Sequence, residues 1–190
     1  MTELALRHAT YEDLLKVPEN LVAESIDGEL YTSPRPASRH ARAASKLLGQ
    51  LSMRFDDGEG GPGGWWIVVE PELHLGHQVL VPDIAGWRRE NMPVYPDSAY
   101  FDVAPNWVCE VLSPSTARID RMKKLPLYAE HGVQHVWIVN PLDQMIEVYR
   151  LENGRWIVAG NYGGDGVVRI EPFEAVELAL SGLWIEPAAK

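Results

Sequence analysis

Asp83 and Glu110 are the residues of this chain whose type and setting best support chemistry. Glu110 interrupts the apolar run of Trp107, Val108, Cys109, Val111 and Leu112. A carboxylate there is costly unless a proton, a cation or a metal neutralises it. Asp83 follows Pro82 at the end of another apolar run, Val79 to Val81. Hydrolysis of a phosphodiester with a metal needs carboxylates that hold the ion, an activated water, and a positive charge near the developing anion. Acids at the ends of successive strands supply oxygen ligands of the kind that suit Mg²⁺ or Mn²⁺. Each acid also has a plainer use. Asp after Pro is a common turn residue, and Glu in an apolar strand commonly pairs with a buried Arg or Lys.

The positive charge is sought just downstream. Ser113-Pro-Ser-Thr116 breaks the Glu110 strand and offers helix-capping hydroxyls, and the next segment carries Asp120, Lys123 and Lys124. Adjacent residues on a helix point about 100° apart, so the two lysines cannot both face the acids. Lys124 has Leu125 beside it and Tyr128 one turn on, which sets it at the edge of the core near Glu110. Lys123 is then left toward solvent with Asp120. Pro126 removes the helical bond to the carbonyl of Met122 and predicts a kink or a helix start at this point. Cys109 reads as a small buried hydrophobe, and His74 and His77 as surface or structural residues. The glycine-rich stretch 56–64 is acidic and lacks a Gly-Lys-Ser/Thr ending, so it reads as a connector.

Composition bounds the rest. With 190 residues, 46% hydrophobic and 23% charged, the chain suits one globular domain over 1–190. One cysteine excludes an internal disulfide framework and a Cys-based zinc cluster. No apolar run is long enough to span a bilayer, and no basic region followed by an apolar one opens the sequence. A cytoplasmic location without membrane partners is expected. The 17 Lys and Arg against 27 Asp and Glu leave a net charge of −10. That is awkward for a nucleic-acid protein unless its basic residues cluster or its carboxylates gather around cations.

The elements that must position these residues follow from periodicity. A short helix over 9–17 opens on Thr10. Two extended pieces in Leu21 to Ser33 flank the turn signal Asp27-Gly28. Pro34 to Pro36 is a breaker. Ser38 to Phe55 is the strongest helix, with Ala41, Ala44, Leu47, Leu48 and Leu51 on one face and Arg39, Arg42, Lys46 and Arg54 on the other. Trp65 to Leu75 reads as a strand with Glu70, Glu72 and His74 on one face, and Gln78 to Trp87 as the next, in which Pro82 marks an edge, a bulge or a strand end. Arg88 to Pro105 is irregular. Val133–Val139 and Met145–Leu151 form a hairpin, and Arg155–Tyr162 with Val167–Ile170 suggest another. From Glu171 the chain reads as a short cover segment. The order of helices and strands predicts a mixed sheet with helices packed on it.

Pro82-Asp83, Glu110-Val-Leu-Ser-Pro-Ser-Thr116, Asp120, Lys124, Tyr128 and Gly132-Val133 together resemble the Uma2 family (DUF820) of the PD-(D/E)XK nuclease superfamily. Glu24-Ser-Ile-Asp-Gly-Glu29, His40 and Glu70-Pro-Glu-Leu-His-Leu75 fall where that family has similar motifs. The resemblance covers about residues 10–150. It implies an α+β fold with an α/β-type core, a restriction-endonuclease-like mixed β-sheet flanked by helices. It also implies a Mg²⁺- or Mn²⁺-dependent endonuclease, a hydrolase acting on DNA without an organic cofactor. Asp83 and Glu110 would hold the metal. Glu24 and Glu70 would stand near the acidic centre as auxiliary ligands or base-positioning groups. The superfamily pattern places lysine two residues after the second acid, where this chain has Leu112. The Uma2-like pattern has it in the following helix, which matches Lys124. A homodimer is expected by analogy, since two sites related by a two-fold axis cut both strands most simply. Two other classes stay open: a catalytically inactive nuclease-fold protein that binds nucleic acid or a protein partner, and a structural protein whose acids are paired internally.

Overall fold

The computed structural model describes residues 8–34 and 37–185. Thr10 caps the first short helix, α1 (Tyr11–Leu14), its backbone N–H donating to Asp13 Oδ2 at 3.0 Å. Asp27 and Gly28 both take positive φ, 54° and 77°. That is the conformation a two-residue hairpin turn needs, and it joins β1 (Leu21–Ile26) to β2 (Glu29–Pro34). Of the expected break at 34–36, Pro34 ends β2, and residues 35 and 36 lie outside the described residues.

The long helix begins at Ser38 as expected and runs to Leu51 (α2), then loosens into a π-helical turn over Ser52–Asp56. Its buried residues are Ala43, Leu47 and Leu51, and Ala41 is exposed, so the apolar face is turned slightly from the expected one. The basic side is also less free than its pattern suggests. Arg39 Nη1 donates to the Ile185 carbonyl at 2.6 Å and Arg42 Nε to that of Gly182 at 2.9 Å. Both tie the C-terminal segment onto the helix.

Both long strands predicted between Trp65 and Trp87 are broken by proline. The first divides into β3 (Trp65–Val69) and β4 (Leu73–Leu75), the second into β5 (Gln78–Leu80) and β6 (Ile84–Arg88). Pro71 and Pro82 have no N–H to give a ladder, so pairing stops at each. Glu70, before Pro71, takes φ 45°. Glu70, Glu72 and His74 therefore do not share one strand face, contrary to expectation. Next come β7 (Trp107–Val111) and a short helix, α3 (Ala117–Ile119). A π-helical turn over Asp120–Lys124 leads into α4 (Leu125–Glu130), then β8 (His135–Asn140), β9 (Met145–Glu152) and β10 (Arg155–Gly163).

The main sheet has the order β10-β9-β8-β7-β6-β3, antiparallel except for the parallel pair β7 and β8 that α3 and α4 connect. A smaller antiparallel sheet has the order β2-β1-β5-β4. The last expected hairpin is not formed. β10 returns on β9, while β11 (Val167–Val168) pairs with β12 (Leu178–Ala179). Gly164, at φ 73°, turns the chain off the sheet before the second partner can align. One face of the main sheet buries Trp107, Cys109 and Val111 against Leu47 and Leu51 of α2 and against Phe173 and Leu183 of the C-terminal segment. The other buries Val108, Val136 and Ile138 against Leu127 and Tyr128 of α4 and Ile26 and Leu80 of the small sheet. Glu110 alternates onto this second face. Among the described residues, no helix is long and apolar enough to cross a membrane.

Candidate active site

The break at Pro82 creates the site. β6 pairs with β7 only through Ile84, Ala85 and Gly86, so the Val111 N–H has no strand carbonyl on that side. Asp83 supplies the acceptor instead: its Oδ2 takes the Val111 N–H at 2.7 Å. Its Oδ1 lies 2.6 Å from His40 Nε2, on the first turn of α2. Register then aligns the acids. Val69 pairs with Ile84, and Ile84 with Cys109, so one step further Glu70, Asp83 and Glu110 fall in a row across three strands. The Glu70 N–H donates to the Asp83 carbonyl at 3.0 Å, which holds that row together.

Lys124 enters from the opposite wall. Pro126 sits in the first turn of α4, where a missing N–H costs least. The π-helical turn just before it carries Lys124 inward. Its side chain is 3% exposed, with Nζ 2.8 Å from Glu110 Oε1 and 2.9 Å from Glu24 Oε1. It also donates to the Val81 carbonyl at 3.3 Å. Glu24, on β1, accepts the Val81 N–H at 2.7 Å. Tyr128, one turn beyond Lys124, donates its hydroxyl to Glu110 Oε1 at 2.5 Å. Lys123 points away and pairs with Asp27 at 3.2 Å. Asp120 does not accompany Lys123 to solvent. It is buried, with Oδ1 3.9 Å from Lys124 Nζ. The i,i+4 spacing of Asp120 and Lys124 signals this in the sequence.

Glu24, Glu70, Asp83, Glu110, Asp120 and Lys124 thus line one cleft of about 260 Å³, roofed by His40 and the Ser113–Thr116 turn. A larger hollow of about 760 Å³ between α1 and the β1–β2 hairpin gathers none of them. Among the described residues, five carboxylates and one ammonium line the cleft, which leaves it rich in acid. Burial pushes the Glu110 carboxyl well above its ordinary range; Lys124 opposes this, and Asp120, Asp83 and Glu24 add to it. Asp120 is pushed up to about 6 by burial, against the pull of Lys124. Burial also draws the Lys124 ammonium down, but Glu110 and Glu24 outweigh it and hold the lysine well above its ordinary value. The Cys109 thiol is raised by burial, which leaves it a core residue and no thiolate nucleophile.

Among the described residues, no three His, Cys, Asp or Glu side chains are grouped to enclose a metal ion. Asp83 and Glu110 nevertheless offer what Mg²⁺ takes in nucleotide sites: one or two carboxylates, with water and phosphate oxygens completing the shell. The unsatisfied, buried Asp120 Oδ2 in the same cleft is a further sign of missing positive charge. His74 serves elsewhere, its Nε2 2.7 Å from Glu72 Oε1, and Glu72 accepts the Tyr11 hydroxyl at 2.9 Å. The contact of His40 with Asp83 had no signal in the residues alone, because it joins elements 43 positions apart.

The family model Uma2, "Putative restriction endonuclease", matches residues 9–181. A crystal structure described as a "putative nuclease belonging to DUF820" from Anabaena variabilis has the same mixed α+β fold. Its TM-score is 0.73 at 23% sequence identity, covering 92% of this chain and 97% of that one. No curated protein matches the sequence.

Proposed function

The chain belongs to the Uma2 family, and from that premise we propose that it is a metal-dependent endonuclease hydrolysing DNA phosphodiester bonds. The observation that carries this reading is the pair of Asp83 and Glu110 side by side at the broken end of β6 and β7, with the Lys124 ammonium on Glu110. Asp83 and Glu110 would hold a Mg²⁺ or Mn²⁺ ion. Bound there, the ion would lower the pKa of water and neutralise charge on the phosphate. The chain's own residues do the rest. His40 and the Val111 N–H fix Asp83, while Tyr128 fixes Glu110. Glu24 and the Val81 carbonyl hold Lys124 where it can face the attacking water or the developing anion. Glu70 lines the same cleft and is an auxiliary acid. The setting we propose is cytoplasmic, with the chain acting as a homodimer whose two clefts each cut one strand.

The alternative is a catalytically inactive nuclease-fold protein that binds nucleic acid or a partner. Its support is that Lys124 already pairs with Glu24 and Glu110. Stability does not explain that arrangement. Buried ion pairs are often replaceable by apolar residues at no cost. The test is plasmid nicking with Mg²⁺ and with a chelator, beside an Asp83→Ala control. Mg²⁺-dependent nicking that the control loses is expected. Nicking equal in the control, or no nicking at all, would return the chain to the inactive reading.

A further inference from the structure

The lysine is over-subscribed. An ammonium has three protons, and Lys124 Nζ has four acceptors around it. Glu110 at 2.8 Å, Glu24 at 2.9 Å and the Val81 carbonyl at 3.3 Å take them. Asp120 Oδ1, at 3.9 Å, is the acceptor left over. Its other oxygen, Oδ2, is buried and has no partner. Asp120 is 4% exposed, so water does not freely make up the loss. The Thr116 side chain gives Asp120 a hydrogen bond, but among the described residues no cation is within bonding distance, so an acid in this cleft of acids is poorly placed for folding alone.

We propose that Asp120 is a positioning residue that takes over the Lys124 ammonium when Glu110 is drawn to a cation. This rests on the reading of Asp83 and Glu110 as the metal-holding pair. In the present arrangement the ammonium is the internal counter-ion of Glu110. A divalent ion arriving at Glu110 repels it and frees the N–H that Glu110 had accepted, with all three protons kept on the ammonium. Asp120 stands one turn back on the same element, four residues away, so its distance to Lys124 needs to close by only about 1 Å to make a charge-assisted bond. Glu24 and Val81 keep their hold meanwhile. The lysine therefore stays in the cleft beside the metal pair and is not expelled. Without Asp120, the ammonium clings to Glu110 and competes with the metal.

Mn²⁺ binding measured by calorimetry at pH 8 tests this as a double-mutant cycle on the wild type, Asp120→Asn, Lys124→Gln and the double variant. Asp120→Asn should weaken Mn²⁺ binding by about tenfold in the wild-type background, a coupling typical of contacting charges. In the Lys124→Gln background it should change binding less than about twofold. The same loss in both backgrounds would show that Asp120 acts on the metal directly and would overturn the proposal while leaving the metal site intact. No Mn²⁺ binding by the wild type would overturn the proposal and the metal reading together. Selective ¹⁵N labelling of lysine gives a reading that needs no Lys124 variant. Mg²⁺ should move the Lys124 ammonium resonance in the wild type and much less in Asp120→Asn, and equal shifts would overturn the proposal.

Discussion

Replacing Asp120 by Asn should make this protein more stable, and only above acid pH. In the folded chain the Asp120 carboxyl is raised from 3.8 to about 6. The folded state therefore binds that proton more tightly than the unfolded state. The stability this confers is fully present below about pH 4, falls as pH rises toward 6, and stays lost above it. A rise of about two units at roughly 1.36 kcal/mol each is a loss of about 3 kcal/mol at neutral pH. The attraction of Lys124 is already inside that figure. Asn copies the shape of the protonated acid and carries no charge to desolvate. Asp120→Asn should thus gain about 3 kcal/mol at pH 8 and almost nothing at pH 3.5. For a chain of this size the gain corresponds to a rise in Tm of roughly 6–12 °C. Thermal unfolding of both proteins at the two pH values measures it. A variant less stable at pH 8, or a gain of equal size at both pH values, would refute the reasoning. A variant that gains stability while losing Mn²⁺ affinity would mark Asp120 as kept for the work of the cleft.

Three further outcomes are expected. Lys124→Met should lower metal-dependent plasmid cleavage by about two orders of magnitude, the scale of losing one electrostatic stabiliser, and Lys123→Met should change it little. Asp83→Ala strands the buried Val111 N–H and should cost about 1–3 kcal/mol in urea unfolding, whereas Asp83→Asn, which keeps an acceptor, should cost less. Arg42→Glu removes the bond to the Gly182 carbonyl, so hydrogen exchange should quicken over residues 178–185, at a cost of about 1 kcal/mol in stability.

Sequence reading reached furthest where one local rule decides the outcome. Asp27-Gly28 dictated a hairpin turn, the periodic leucines dictated α2, and Glu110 within an apolar strand required a neutralising partner. The choice of Lys124 over Lys123 followed from helical phase and Tyr128, and the structure sets Lys124, not Lys123, on Glu110. What stayed hidden depends on contacts between distant segments. Neither arginine of α2 advertises that its partner is a carbonyl near residue 185. The His40 contact with Asp83 is of the same kind. Proline is legible as a strand breaker at Pro82, whereas the equal effect of Pro71 is masked by the alternation of Glu70, Glu72 and His74, which imitates a single strand. Asp120 is three residues from Lys123 and four from Lys124, so helical spacing allows either partner, and only the packing of the cleft turns it to Lys124.

The claim on which the rest depends is that Asp83 and Glu110 together hold a cation. Anomalous diffraction from crystals of the protein soaked in Mn²⁺ tests it most directly. A peak is expected in the cleft contacted by both carboxylates, with the Lys124 ammonium drawn off Glu110 toward Asp120. A cleft without a peak, with Lys124 still seated between Glu24 and Glu110, or a peak bound by other side chains, would contradict it.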